Sequence, residues 1–168
     1  MELSIIAVVI DNEEVTKRFI SSIRQYTNAK GGYELILIDN ESKDKSAINF
    51  IKKSADIHYR FNKRTDLAKA WNKGIALSSG KYVAVVNNDT VVGTDWFTPL
   101  KETLDKHKKA GLVSPLTLGL FREYIGKHHP KECLENLRKE SPKRSPIKLR
   151  KNIDIVWGEF CVFKRKAL

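Results

Sequence analysis

Four short apolar runs dominate the first half of the chain: residues 3–10, 33–38, 57–61 and 81–86. They are rich in Ile, Val, Leu and Tyr, and the first, second and fourth are apolar on both faces, as buried parallel strands are. Amphipathic stretches separate them. Val15, Phe19, Ile20 and Ile23 recur at helical spacing, as do Ala47, Ile48, Phe50 and Ile51, and then Leu67, Ala70, Trp71, Gly74, Ile75 and Leu77. Strand and helix in strict alternation predict βαβ units: an α/β fold with a mostly parallel central sheet. Right-handed crossovers put helices on both faces of that sheet. The order also has a chemical consequence. The runs stop at Asp11, Asp39, Asn62 and Asn87-Asn88-Asp89, so these polar tips gather along the carboxyl edge, where open α/β sheets bind ligands.

The second half is less regular. A helix is predicted from about Thr94, with Leu100 and Leu104 facing inward, followed by a short strand at residues 111–115 and one or two strands within residues 153–163. The 168 residues suffice for one domain, read as a ligand-binding half (1–92) and a second half (93–168) carrying a mobile basic loop at about 126–151. Net charge is +11, from 31 Lys and Arg against 20 Asp and Glu. The excess is concentrated late: residues 121–151 hold ten Lys/Arg against four Glu, and Lys164-Arg165-Lys166 follows. Such a balance points to phosphorylated substrates, polyanions or an anionic membrane surface, although a solvated basic face is the commoner meaning. No run approaches the ~20 apolar residues of a membrane span, and the acidic residues flanking 3–10 are wrong for a secretory leader, so the expected compartment is the cytoplasm. Cys133 and Cys161 have no metal-site or redox spacing and read as reduced thiols.

The tips carry the chemistry. Asp89, with Asn87 and Asn88 beside it, has the character to hold Mg²⁺ or Mn²⁺ against substrate phosphates, and equally that of a turn or helix cap. Asp39 with Asn40 and Ser42 offers acceptors to a base or ribose, or caps a turn. Arg64 and Lys69 offer cations to a diphosphate. The four histidines lack ligand spacing, and no glycine-rich phosphate loop or nucleophile elbow is present.

Taken together these segments resemble the family 2 glycosyltransferases. Residues 3–14 are similar to the family's first strand and turn, with Ile10-Asp11 in place of Tyr-Asn. Residues 34–44 resemble its Asp-Asn/Asp-Gly-Ser-x-Asp segment, with Glu41 in place of Gly. Residues 62–82 resemble its asparagine loop, Asn-x-Gly helix and Gly-x-Tyr strand entry. Asn87-Asn88-Asp89 stands at the Asp-x-Asp motif, with Asn at its first position. The resemblance implies a single GT-A, Rossmann-like domain that transfers a sugar from a nucleotide-diphosphate sugar to an acceptor hydroxyl with inversion, assisted by Mn²⁺ or Mg²⁺. It implies nucleotide-sugar contacts at Val9, Asp11, Asp39, Asn62, Lys69, Asn87 and Asn88, with Asp39 at the base, Asn87 near the ribose and Asp89 on the metal. Residues 156–165 look like the strand closing the acceptor side, which makes Glu159, or else Asp154, the candidate catalytic base. The family usually continues to an acidic pair beyond this point, so a minimal or C-terminally truncated member is implied. A glycan, lipid-linked or protein acceptor is expected, with peripheral contact to an anionic membrane through the basic region.

Other readings stand beside this one. A nucleotide-sugar-binding protein without activity would need no base. A nucleotidyltransferase would want a basic, glycine-rich loop where acidic residues 11–14 lie. A basic nucleic-acid-binding module would need cations and aromatics on one face and no carboxylate edge, so nucleic acid is not the expected partner.

Overall fold

The computed structural model describes residues 1–115 and 160–168. Contacts divide the chain into two compact units, Met1–Ser114 with Trp157–Leu168, and Pro115–Val156. The elements below belong to the first.

They run β1 (Leu3–Val9), α1 (Glu13–Tyr26), β2 (Tyr33–Asp39), α2 (Lys45–Ser54), β3 (Ile57–Arg60), α3 (Leu67–Leu77), β4 (Tyr82–Val86), α4 (Phe97–Lys106), β5 (Leu112–Val113) and β6 (Phe160–Lys164), with a closing 3₁₀ turn at Arg165–Ala167. The sheet order is β3-β2-β1-β4-β6-β5. The first four strands are parallel, with Leu3 opposite both Tyr33 and Tyr82. β6 reverses direction against β4, pairing Tyr82 with Lys164 and Val86 with Phe160. The expected mostly parallel sheet is thus observed, with an antiparallel strand on one side.

Both faces are covered, which is why the central strands show no polar alternation. Leu3, Ile5, Ala7, Leu35, Leu37, Tyr82 and Ala84 pack with Phe19, Ile23, Ala47, Ile51, Phe97 and Leu104 of α1, α2 and α4. On the opposite face Ile6, Ile36, Ile38 and Val83 pack with Ala70 of α3. That helix lies close: a Cβ on Gly74 would sit 2.3 Å from Ile6 Cγ2. At the amino edge, buried Glu34 accepts from Ser4 Oγ at 2.6 Å and from Ser79 N at 2.6 Å, and Gly80 N donates to Ser4 Oγ at 2.7 Å. This cluster locks the start of β4 onto β1 and β2.

Two boundaries differ from the sequence reading. α4 begins at Phe97 because Asp95 has a left-handed φ of 52°, which a right-handed helix does not accommodate. β2 extends to Asp39, whose backbone still pairs with Val9 and Arg60. The expected helix at 130–139 and the basic loop at 126–151 lie outside the described residues. No helix among the described residues is long and apolar enough to cross a membrane.

Candidate donor-binding edge

The carboxyl ends of β1, β2 and β4 converge as the alternation requires. A cleft of about 340 Å³ opens there, lined by Val8, Ile10, Asn40, Arg64, Thr65, Leu67 and Asn87 to Asp89. Its volume is within the range of small-molecule sites.

The walls are held by side chains that bond loop backbone. Asp11 and Asn12 both have left-handed backbones, φ 44° and 46°, which turn the chain sharply out of β1. Asp11 N donates to Ser42 Oγ at 2.8 Å, and Asp11 Oδ1 accepts from Lys43 N at 2.7 Å and Asp44 N at 2.8 Å. The loops after β1 and β2 are therefore sewn together. Asn40, 3% exposed, accepts from Thr65 N and donates to Thr65 O, both at 2.9 Å. This two-point clamp draws the loop after β3 against β2. Glu41, standing where the family has Gly, has a φ of 76°. Its carboxylate ties down the strained turn, taking Lys43 Nζ at 2.7 Å and Arg64 N at 3.1 Å. The Lys43 bond, followed by the Arg64 backbone bond, holds its carboxyl below the usual range.

Asp39 is fully buried. Its Oδ1 accepts from Ser42 N at 2.7 Å. Its Oδ2 lies 3.0 Å from Arg60 Nε, yet off the hydrogen-bond direction, so neither atom has a hydrogen-bond partner. Arg60 also donates from Nη2 to Ser42 O at 2.7 Å. Arg60 carried no sequence signal beyond its place on a short strand. Its pairing opposite Asp39 follows from the β2–β3 register.

The structure thus sorts the expected residues. Asn87, Asn88 and Asp89 line the cleft, with Asp89 exposed and Asn88 Nδ2 donating to Thr16 Oγ1 at 3.3 Å. Asp11 and Asp39 are at the edge, but their carboxylates bond neighbouring loops and Arg60. Val9 is buried with its side chain in the α1 face of the core, and it is Val8 and Ile10, one residue either way, that reach the cleft. The Val9 carbonyl accepts from Asn40 N at 2.9 Å. Asn62 and Lys69 are exposed and do not line the cleft. Asn40, Arg64 and Thr65 do, and the missed clamp was legible only as an Asn directly after a strand. Glu159 and Asp154 lie outside the described residues.

Among the described residues no group of three or more His, Cys, Asp or Glu is placed to hold a divalent metal. A lone exposed carboxylate flanked by amides still fits Mg²⁺ or Mn²⁺, which keep several waters and take substrate phosphate oxygens as ligands.

A mostly parallel sheet with helices on both faces and a polar cleft at the carboxyl ends of its parallel strands is an α/β architecture of the GT-A type. The sequence matches the family Glycosyl transferase family 2 over residues 4–168, and the chain belongs to that family. It is 27% identical over 145 residues to the poly(ribitol-phosphate) beta-glucosyltransferase of Bacillus spizizenii, a match covering 80% of this chain and 21% of that protein. Among solved structures it resembles the mannosyltransferase PcManGT of Pyrobaculum calidifontis, in complex with GDP-Man and Mn²⁺, at a TM-score of 0.67 and 17% identity, covering 98% of this chain and 45% of the other. It also resembles glucosyl-3-phosphoglycerate synthase of Mycobacterium tuberculosis, in complex with Mg²⁺ and UDP, at 0.60 and 19%, covering 98% and 57%. The chain therefore spans about a fifth of the curated relative and about half of each of these structures.

Proposed function

We propose that the protein transfers a sugar from a nucleotide-diphosphate sugar to an acceptor hydroxyl, with the donor seated in the Asn40–Thr65–Asp89 cleft. The observation carrying this reading is the cleft itself: amides, a cation and one open carboxylate meet at the carboxyl ends of parallel strands. Asn87 and Asn88, which line the cleft, would accept and donate at the ribose. Arg64 supplies charge to the diphosphate, and Lys69, in the first turn of α3, adds to the local field. Asp39 acts at the base by fixing the Ser42 turn. Asp89 would hold Mn²⁺ or Mg²⁺, which would supply neutralisation of charge on the departing nucleoside diphosphate. In the transfer the acceptor oxygen bonds to the anomeric carbon as its bond to the β-phosphate oxygen breaks. The hydroxyl proton passes to a carboxylate, Glu159 or Asp154 by family resemblance, and the anomeric centre inverts.

For the acceptor we infer a phosphate-bearing polyol chain. Two observations support it: the +11 net charge and the likeness to a relative named for poly(ribitol-phosphate). The domain would act as one functional unit at the cytoplasmic side of an anionic membrane, contacted peripherally by the basic region. A thermal-shift screen of UDP-, GDP- and other nucleotide sugars with and without Mn²⁺ tests the donor reading. A donor at a hundredfold its Kd stabilises by about 2.7 kcal/mol. No metal-dependent stabilisation by any of them overturns it.

A further inference from the structure

A second cleft, of about 530 Å³, opens at the opposite edge of the sheet, where β4 begins and β6 ends. It lies roughly 15 Å along β4 from Asn87, from the strand rise per residue. Lys81, Lys108, Lys164, Arg165 and Lys166 line it, and Asp105 is the one carboxylate among the described lining residues. That carboxylate is already engaged: Lys101 Nζ pairs with it at 2.8 Å, and the Tyr82 hydroxyl donates to its other oxygen.

Lys164 is the group that points to a ligand. Only 8% of it is exposed, yet its Nζ makes one long hydrogen bond, to His107 O at 3.3 Å. No carboxylate lies within ion-pair distance of it among the described residues. Buried ammonium groups are normally paired, and the carbonyl end of α4 compensates this one only in part. Arg165 is fixed beside it, donating from Nε to Gly80 O at 2.6 Å and from Nη2 to Ser78 Oγ at 2.7 Å. Lys81, Lys108 and Lys166 are exposed and in no ion pair among the described residues. Cations converging on a concavity suit a compact anion better than a flat bilayer. The Tyr82 ring is fully buried, so no aromatic platform is offered to a nucleobase.

We propose that this cleft binds a phosphodiester group of a polyol-phosphate chain, at a site separate from the donor edge. The identity of the chain rests on the acceptor reading above; the phosphate chemistry rests on the cleft. Such a site would hold a long acceptor at a second point while one of its hydroxyls is presented for transfer, and would raise its effective concentration there.

The test is an NMR titration of the ¹⁵N-labelled full chain with a synthetic ribitol-phosphate oligomer, against ribitol alone. Amide shifts at Tyr82, Lys164 and Arg165 with the oligomer only are expected. The exposed pair Lys108→Glu and Lys166→Glu should weaken binding by about tenfold or more and leave nucleoside-diphosphate shifts at Asn87 to Asp89 unchanged. Absence of shifts at the amino edge, or unchanged affinity in the charge-reversed protein, overturns the proposal. So does tighter binding of anionic vesicles or RNA at the same amides. Failure of nucleoside diphosphates to shift Asn87 to Asp89 speaks against the donor reading alone, so the two outcomes separate.

Discussion

Replacing Asn40 by Ala removes the clamp that joins the loop after β3 to β2. Two hydrogen bonds of 2.9 Å are lost, and the Thr65 N–H and C=O are left in a partly buried setting. At a net 0.5–1.5 kcal/mol for each bond, the expected loss is about 1–3 kcal/mol. The change is local, because Asn40 packs at the rim and Thr65 holds a cleft wall, so two assays should disagree in an informative way. Denaturant unfolding reports the whole loss. Hydrogen exchange at the Thr65 amide reports opening of the loop alone, and should accelerate about tenfold for each 1.4 kcal/mol. Nucleotide affinity should weaken with it, because Arg64, Thr65 and Leu67 are released together. Asn40→Asp keeps the acceptor for Thr65 N and turns an oxygen toward Thr65 O, which isolates the second half of the clamp. An Asn40→Ala protein with unchanged Thr65 exchange and a stability loss below about 0.5 kcal/mol would refute the clamp as the tether.

Three further perturbations follow from the same contacts. Arg60→Ala strands the fully buried Asp39 carboxylate; breaking such a pair costs 3–5 kcal/mol, and with the Arg60 side chain 32% open to water we expect about 3, read by urea unfolding. Gly80→Ala would place a Cβ 2.5 Å from Ser4 N and 2.7 Å from Leu3 C, both backbone atoms, so a destabilisation of about 1–3 kcal/mol or more is expected in thermal melts, with Gly93→Ala, which meets nothing within 4 Å, as the neutral control. His58 is held below its ordinary pKa by burial first, with Lys52 and Arg60 adding to the effect and Asp39 opposing it. A depressed folded pKa means protonation favours the unfolded chain, so stability present above about pH 6.5 should fall as the pH drops below it, and His58→Gln should flatten that part of the Tm–pH profile.

The fold was legible in the sequence because each element obeyed its own period. Continuous apolar runs could only be strands covered on both faces, and the helical repeats between them forced parallel order. Asp11, Asp39, Asn62 and Asp89 reached one edge for that reason alone. What the pattern lacked was the direction in which each side chain turns there. Val9 and Val8 are indistinguishable as residues, and strand parity decides which of them meets the cleft. Asp39 reads as a ligand group until the register places Arg60 beside it. Asn40 and Ser42 read as acceptors for a nucleotide, whereas the folded chain engages both in loop backbone. Asp95 delayed α4 through a left-handed backbone that spacing does not reveal. The basic cleft was the least visible feature: Lys81, Lys108 and Lys164 are scattered in sequence and meet only because β6 runs back along β4.

The central claim is that the carboxyl edge binds the diphosphate of a sugar nucleotide with a metal held by Asp89. Its most direct test is the Kd of UDP and GDP, each measured with Mn²⁺ and with EDTA, for the wild-type chain and for Asp89→Ala. The account predicts that Mn²⁺ tightens binding of at least one nucleotide by about tenfold or more in the wild type, and that Asp89→Ala removes this gain without loss of folded stability. Nucleotide binding that is indifferent both to Mn²⁺ and to Asp89→Ala would contradict it.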